Sequence, residues 1–361
     1  MGNPAIYELT KSLVDVPESD SERAAGSLIV DWLRSETSAE VTRDDGGNVV
    51  ARKGSGGPSL ALVGHHDVVD PAQSQIADGR HRVSEENGRL QGRGTADMKG
   101  ALAAMMVAFQ RADPDSVLIF ASFVGEERGG IGAQSAIEDG LKPDFAIVGE
   151  GSASYSREGV LDVAIAHKGR RGSSIEATGT SAHASEPAAG DNAIYRALEA
   201  VDRIRDLDPP TRTVFGERLA GSLAVTEIDG GTDWNVIPES CSVTVDERTV
   251  PGKRADLGIV ESIPGVEWTV DQDLPPMRCE SREFADQVRA AAAKAQSGTP
   301  EFVQKPHATD AGWLAKAGTE CVVCGPAEPG EAHSATESVS KSLLYTAFDC
   351  YRSVADDWGP L

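Results

Sequence analysis

The chain has 361 residues, 40% of them hydrophobic, with 57 acidic and 34 basic side chains and a formal net charge of -23. That length favours two domains around a sizeable core. No run of 18 or more apolar residues occurs, so no membrane-spanning helix is expected, and the basic patch that a nucleic-acid binder needs is missing.

The first eight residues, Met1 to Glu8, lack a basic region followed by an apolar one, so no signal peptide is expected. A soluble, cytoplasmic protein is the expectation. The acidic excess fits ordinary solubility, and it fits better a salt-adapted, halophilic cytoplasm in which salt screens self-repulsion. The 5 cysteines are odd in number in a large chain, which argues against a disulfide framework. Cys321-Val-Val-Cys324 has no second pair and reads as a buried strand rather than a metal or redox site.

Taken in chain order, Ile6 to Val14 and Glu22 to Leu33 have helical spacing of apolar residues. Asp44-Asp-Gly-Gly-Asn48 is a turn before a hairpin strand at Val49 to Arg52. Short apolar strands follow at Ser59 to Val63, Val117 to Val124 and Phe145 to Val148, with a helix at Gly130 to Glu138. The middle of the chain differs. Arg171 to Gly179 reads as an exposed strand, Asn192 to Asp206 as a helix, and Ser222 to Ile228 and Ser242 to Asp246 as alternating strands. Helix and strand then alternate again at Phe284 to Ala295, Glu320 to Cys324 and Ser338 to Val354.

This order predicts an α/β fold, with a mostly parallel sheet in a catalytic domain formed by residues 1–169 and 277–361. A smaller α+β domain, an antiparallel sheet with helices, is inserted at residues 170–276.

Ligands in open α/β sheets collect at the carboxyl ends of strands. Leu60 to Val63 leads into Gly64-His65-His66-Asp67, and Leu118 to Val124 into Gly125-Glu126-Glu127. Phe145 to Val148 leads into Gly149-Glu150, and Cys321 to Cys324 leads through Gly325-Pro326 towards His333. Asp97 lies in a glycine turn ahead of the apolar run Ala101 to Phe109. If the strands are parallel neighbours, their tips converge on one cleft that Asp97 enters from a helix start. Each of these short patterns alone is weak. Together, two histidines and several carboxylates suit a pair of zinc ions about 3.5–4 Å apart. Paired glutamates supply one ligand and one base, and Asp67 is placed to orient His65.

The set Gly64-His65-x-Asp67, Gly92-x-Gly-x-x-Asp97-x-Lys99-Gly100, Gly125-Glu126-Glu127, Gly149-Glu150 and Ala332-His333-x-x-x-Glu337 resembles the di-zinc aminoacylase and peptidase family. That family includes acetylornithine deacetylase, succinyl-diaminopimelate desuccinylase, glutamate carboxypeptidase and several dipeptidases. The resemblance implies that His65, Asp97 and Glu150 bind one zinc, and that Asp97, Glu127 and His333 bind the other. Cobalt or manganese is an alternative filling. Glu126 is implied as general base, Asp67 as the residue holding His65, and Asp97-Met98 as a cis peptide.

Thr178 to Pro187 resembles the family stretch whose histidine, here His183, reaches the scissile carbonyl, commonly across a homodimer. Asn235 and Arg248 resemble substrate-contacting positions. Arg248 either forks a substrate carboxylate or closes a structural ion pair, and the sequence leaves both open.

Some positions depart from the pattern. Asp70 stands where many members have proline, His66 is unusual between His65 and Asp67 and is read as facing solvent, and His307, just before a Thr309-Asp310-Ala311 stretch that resembles the family's segment, either touches substrate or only packs there. The expected activity is hydrolysis of the amide of an N-acyl amino acid. A dipeptidase or glutamate carboxypeptidase is the alternative, and the partner is a small-molecule substrate.

Overall fold

A computed structural model describes residues 4–359, so residues 1–3 of the N-terminal stretch read above lie outside the described residues. The chain divides into two compact units. One comprises Met1–Ala166, Met277–Lys305 and Thr309–Leu361, and the other His167–Pro276 with Pro306–Ala308.

The first unit is built on a nine-stranded sheet. Its spatial order is Glu40–Arg43, Val49–Lys53, Leu118–Phe123, Leu60–His65, Phe145–Val148, Glu320–Val323, Val163–His167 and Met277–Arg278, with Phe302–Lys305 also pairing with Val163–His167. The strands Leu118–Phe123, Leu60–His65, Phe145–Val148 and Glu320–Val323 are parallel neighbours. The first two of these are buried at every residue, as expected of strands covered on both faces. Antiparallel pairings flank them, because Val49–Lys53 on one side and Val163–His167 on the other run the other way, and Glu40–Arg43 pairs antiparallel with Val49–Lys53.

Alternate residues of the parallel strands, among them Val63, Ala121, Val148 and Val323, pack with Ala133 and Ala136 of the helix Ile131–Glu138 and with Ala311 and Leu314 of the helix Asp310–Lys316. The opposite face meets Gly100–Arg111, a helix rich in alanine, leucine and methionine whose residues 100–109 are all buried. Pro4–Val14 and Lys341–Asp356 pack against that helix in turn. A Cβ at Gly64 would stand 2.4 Å from Met98 Cε and 2.9 Å from Leu102 Cδ2. Glycine at this place lets the Met98 and Leu102 side chains seat against the strand that ends in His65 without shifting. All 5 cysteines are buried and free; Cys321 lies in the strand Glu320–Val323, as the sequence suggested, and Cys324 is the buried residue just past its end.

The second unit holds a four-stranded antiparallel sheet, in the order Ser222–Gly230, Ser240–Thr249, Gly169–Thr178, Val266–Leu274. The helix Ala193–Arg205 covers one face through Ala193, Ala197, Ala200 and Ile204 against Ile175, Ala177, Val243 and Val245. The strand read from sequence as exposed is instead internal. Gly169–Thr178 has a partner on each side, and its alternate residues are buried under the helix. Short-range alternation could not reveal that second partner, because Val266–Leu274 lies almost a hundred residues on in the chain. No helix among the described residues is long and apolar enough to cross a membrane.

His81 is 2% exposed, and its backbone N–H donates to Val16 O at 3.0 Å. Burial, with Lys99 and Arg93 nearby, lowers its pKa to about 4 from an ordinary 6.5. A depressed folded-state value means that the unfolded chain binds the proton first. The resulting stability is complete above pH 6.5 and is lost as pH falls towards 4, by about 3 kcal/mol in the limit. Urea unfolding from pH 7 to 4 should therefore show a shallower acid-side loss for His81→Gln than for the natural chain. Equal slopes would refute this.

Candidate metal centre

The parallel register sets the site. His65 pairs with Phe123, and Val148 pairs with both Val63 and Val323, so four strand ends lie side by side. Just beyond them the chain places Asp67, Glu126 and Glu127, Glu150, and the loop that carries His333. Asp97 comes from residues 95–99, a single irregular turn leading into Gly100–Arg111, and the Asp97-Met98 peptide is cis.

Two donor sets result: His65, Asp97 and Glu150, and Asp97, Glu127 and His333, with the donor atoms of each set within 4.8 Å of one another. In the first, His65 Nε2 is 3.0 Å from Asp97 Oδ1 and 3.2 Å from Glu150 Oε1. In the second, His333 Nε2 is 2.9 Å from Glu127 Oε1 and 3.3 Å from Asp97 Oδ2. Asp97 thus offers one oxygen to each set. Ligands around a tetrahedral ion with bonds of ~2.1 Å lie ~3.4 Å apart, so the imidazole and carboxylate donors are spaced for metal.

Asp67, 4% exposed, ties neighbouring tips together. Its Oδ1 is 3.3 Å from His65 Nδ1, which leaves Nε2 directed at Asp97 and Glu150. The same carboxylate accepts the backbone N–H groups of Glu126 and Glu127, each at 3.1 Å. Burial opposes its ionisation, yet the hydrogen bonds from His65 and from those amides hold its pKa at about 2.

The field of these acids is strong. His333, 53% exposed at its side chain, is pushed up to about 10 by Asp97 and Glu127. Burial disfavours the charged form of His65, but Asp67, Asp97 and Glu150 raise it well above the imidazole range. Glu126 is raised well above the usual carboxylate range by burial, with Asp310, Glu150 and Asp97 adding repulsion. A cluster that draws protons onto both imidazoles draws divalent cations by the same electrostatics.

Sequence reasoning passed over several neighbours. Asp310 is 2% exposed with neither carboxylate oxygen hydrogen-bonded, and burial raises it to about 7. Lys305, 6% exposed, donates to Gly151 O. His66 does not face solvent: it is fully buried, and its Nδ1 is 2.8 Å from Ser122 Oγ. Ser122 is a strand residue of Leu118–Phe123, so His66 packs against the neighbouring strand rather than into water.

The remaining candidates lie in the second unit. His183 pairs with Val236 in a short antiparallel ladder, Ala184 N donates to Asn235 O at 2.9 Å, and His183 Nδ1 is 2.6 Å from Ser185 Oγ. Arg248 Nε donates to Asp246 Oδ1 at 2.7 Å, and Asp246 Oδ2 also takes Arg170 Nε at 2.7 Å. The ion pair left open by the sequence is therefore present. His307 falls in Pro306–Ala308, grouped with this second unit.

Two substitutions test the scaffold. Asp67→Asn should lower metal affinity or activity about 10–100-fold, measured by calorimetric titration and turnover, because it loosens His65 and both glutamate amides together. A Cβ at Gly325 would come within 1.9 Å of Gly149 O and 2.5 Å of Glu150 O. Gly325→Ala should therefore destabilise by about 1–3 kcal/mol in denaturant unfolding, and an unchanged midpoint would contradict that packing.

The model of peptidase family M20/M25/M40 matches residues 61–357. The chain is 31% identical over 323 residues to an acetylornithine deacetylase of Myxococcus xanthus, covering 82% of this chain and 81% of that one. It is 28% identical over 368 residues, 97% of each chain, to a protein of Mycobacterium tuberculosis assigned as a succinyl-diaminopimelate desuccinylase. In fold it is similar to aminopeptidase PepT of Bacillus cereus, with a TM-score of 0.81, 17% identity and 98% of both chains covered. The family match, together with a relative above 30% identity across most of the length, establishes that the chain belongs to peptidase family M20/M25/M40.

Proposed function

We propose that this chain is a two-metal amide hydrolase that releases the acyl group from an N-acyl amino acid. The observation that carries the reading is the pair of donor sets sharing Asp97, with Glu126 beside them as a partly buried acid that neither set uses. His65, Asp97 and Glu150 would hold one ion, and Asp97, Glu127 and His333 the other. Zinc is the preferred occupant for imidazole and carboxylate donors, with cobalt or manganese as substitutes. When bound, such ions polarise the scissile carbonyl and make the attacking water more acidic.

Glu126 takes the proton of that water and later delivers it to the leaving amine. Burial suits it to both tasks, since a raised carboxylate pKa makes it a better base and a carrier that can hold the proton. Asp67 keeps His65 in one orientation throughout. His183 is assigned to the oxyanion, and Asn235 and Arg248 to the substrate's polar ends, with Asp246 orienting the Arg248 guanidinium.

The first unit is the catalytic one in this reading, and the second serves as lid and dimerisation unit. Support for a homodimer comes from the second unit's exposed apolar residues, Tyr195 at 71%, Leu198 at 48%, Ile228 at 51% and Trp234 at 93%. The net charge of -23 supports a salt-adapted setting. Likeness to a deacetylase at 31% identity favours deacylation over peptide cleavage.

The test is a substrate panel in high salt, with zinc or cobalt and a chelated control. N-acetylornithine, N-succinyl-diaminopimelate and other N-acyl amino acids are set against dipeptides. Preference for dipeptides would make the chain a peptidase. Glu126→Gln should keep both metals and lose about 10²–10⁴-fold in kcat. Retained turnover in a metal-loaded Glu126→Gln protein would remove Glu126 from the mechanism.

A further inference from the structure

Glu337 and Arg93 are 0% and 3% exposed, and they form an ion pair of 2.6 Å from Arg93 Nη1 to Glu337 Oε2. The other carboxylate oxygen, Oε1, accepts the backbone N–H of Ala96 at 2.9 Å and of Asp97 at 3.1 Å. The backbone joins in: Gly92 N donates to Glu337 O at 2.9 Å, and Ser338–Ser340 pairs with Arg89–Gln91. Arg93 Nη2 points at His333 O and Asp70 O, each at 3.5 Å. One buried pair therefore touches the turn that carries Asp97 and the loop that carries His333.

We propose that Arg93 and Glu337 are positioning residues that hold Asp97 and His333 at ligating distance and so set the affinity of the second metal site. The inference rests on the two-metal reading above. His333 sits on an exposed loop with a positive φ of 62°, and its loop becomes buried again only at Glu337. Without a fixed point there, the loop would have to be ordered at the cost of binding. Arg89 reinforces the same loop by pairing with Glu328 at 2.6 Å and Glu331 at 2.7 Å, while Glu331 accepts Ser338 N at 2.7 Å.

Stability alone does not account for the pair. A buried ion pair is often no more stabilising than an apolar pair of similar volume. An apolar pair, however, has no acceptor for the two amides of the Asp97 turn. A carboxylate does, and a guanidinium neutralises it while reaching a carbonyl on the other segment.

The experiment is calorimetric titration of metal-stripped protein with zinc, cobalt absorption spectra, and thermal unfolding of the metal-free form. It uses the natural chain, Glu337→Gln and Arg93→Lys. Arg93→Lys keeps the charge and carries the test if Glu337→Gln does not fold. The expected result is that both ions bind more weakly, the second by at least about tenfold because it depends on both Asp97 and His333, and the first by less because it shares only Asp97. The spectral change should be larger for the second equivalent of cobalt than for the first, and excess metal should restore kcat. A structural role alone would lower the unfolding temperature and leave both affinities and the spectra unchanged, and that result overturns the proposal. A natural chain that binds fewer than two ions overturns the two-metal reading instead, and this inference with it.

Discussion

The structure depends on a concentration of negative charge at the strand ends, faced by Lys305 and by the imidazoles of His65 and His333. Asp67, Asp97, Glu126, Glu127, Glu150 and Asp310 gather at one edge of the sheet around His65 and His333. Carboxylates at this spacing repel one another strongly where water is excluded. The chain meets part of that repulsion with backbone amides at Asp67 and with the protons its imidazoles attract. The remainder calls for divalent cations, and the donors stand where such cations need them.

The fold keeps the charges in place by making everything behind them stiff. Parallel strands buried throughout, and a helix buried all round, leave little room for the tips to move. Glycines at contact points, Gly64 against Met98 and Gly325 against Gly149, remove the side chains that would force the tips apart. Polar groups are then added at few points. Asp67 links two neighbouring strand ends, and the Arg93–Glu337 pair links a helix start to a distant loop.

The second unit is differently made. Its sheet is antiparallel, covered by a helix on one face, and it exposes large apolar side chains at Tyr195, Leu198, Ile228 and Trp234.

By itself, the sequence determined the class of fold, most of its elements and the chemistry of the site. Apolar runs ending in Gly-His-x-Asp, Gly-Glu-Glu and Gly-Glu are local patterns. Strand propensity, glycine and the acid that follows all act within a few residues, so they can be read without knowing the neighbours. Tertiary structure alone decided what depends on residues far apart. Sequence gave no sign that Gly169–Thr178 is internal, because its partner Val266–Leu274 lies far along the chain. It left His66 facing solvent, whereas the sheet turns it inward against Ser122. It quoted Glu337 as a motif letter, while only the fold brings its carboxylate to Arg93 and to the amides of Ala96 and Asp97. The physical reason is the same in each case. Burial and hydrogen-bond pairing are properties of contacts between distant segments, and no local window of the chain contains both partners.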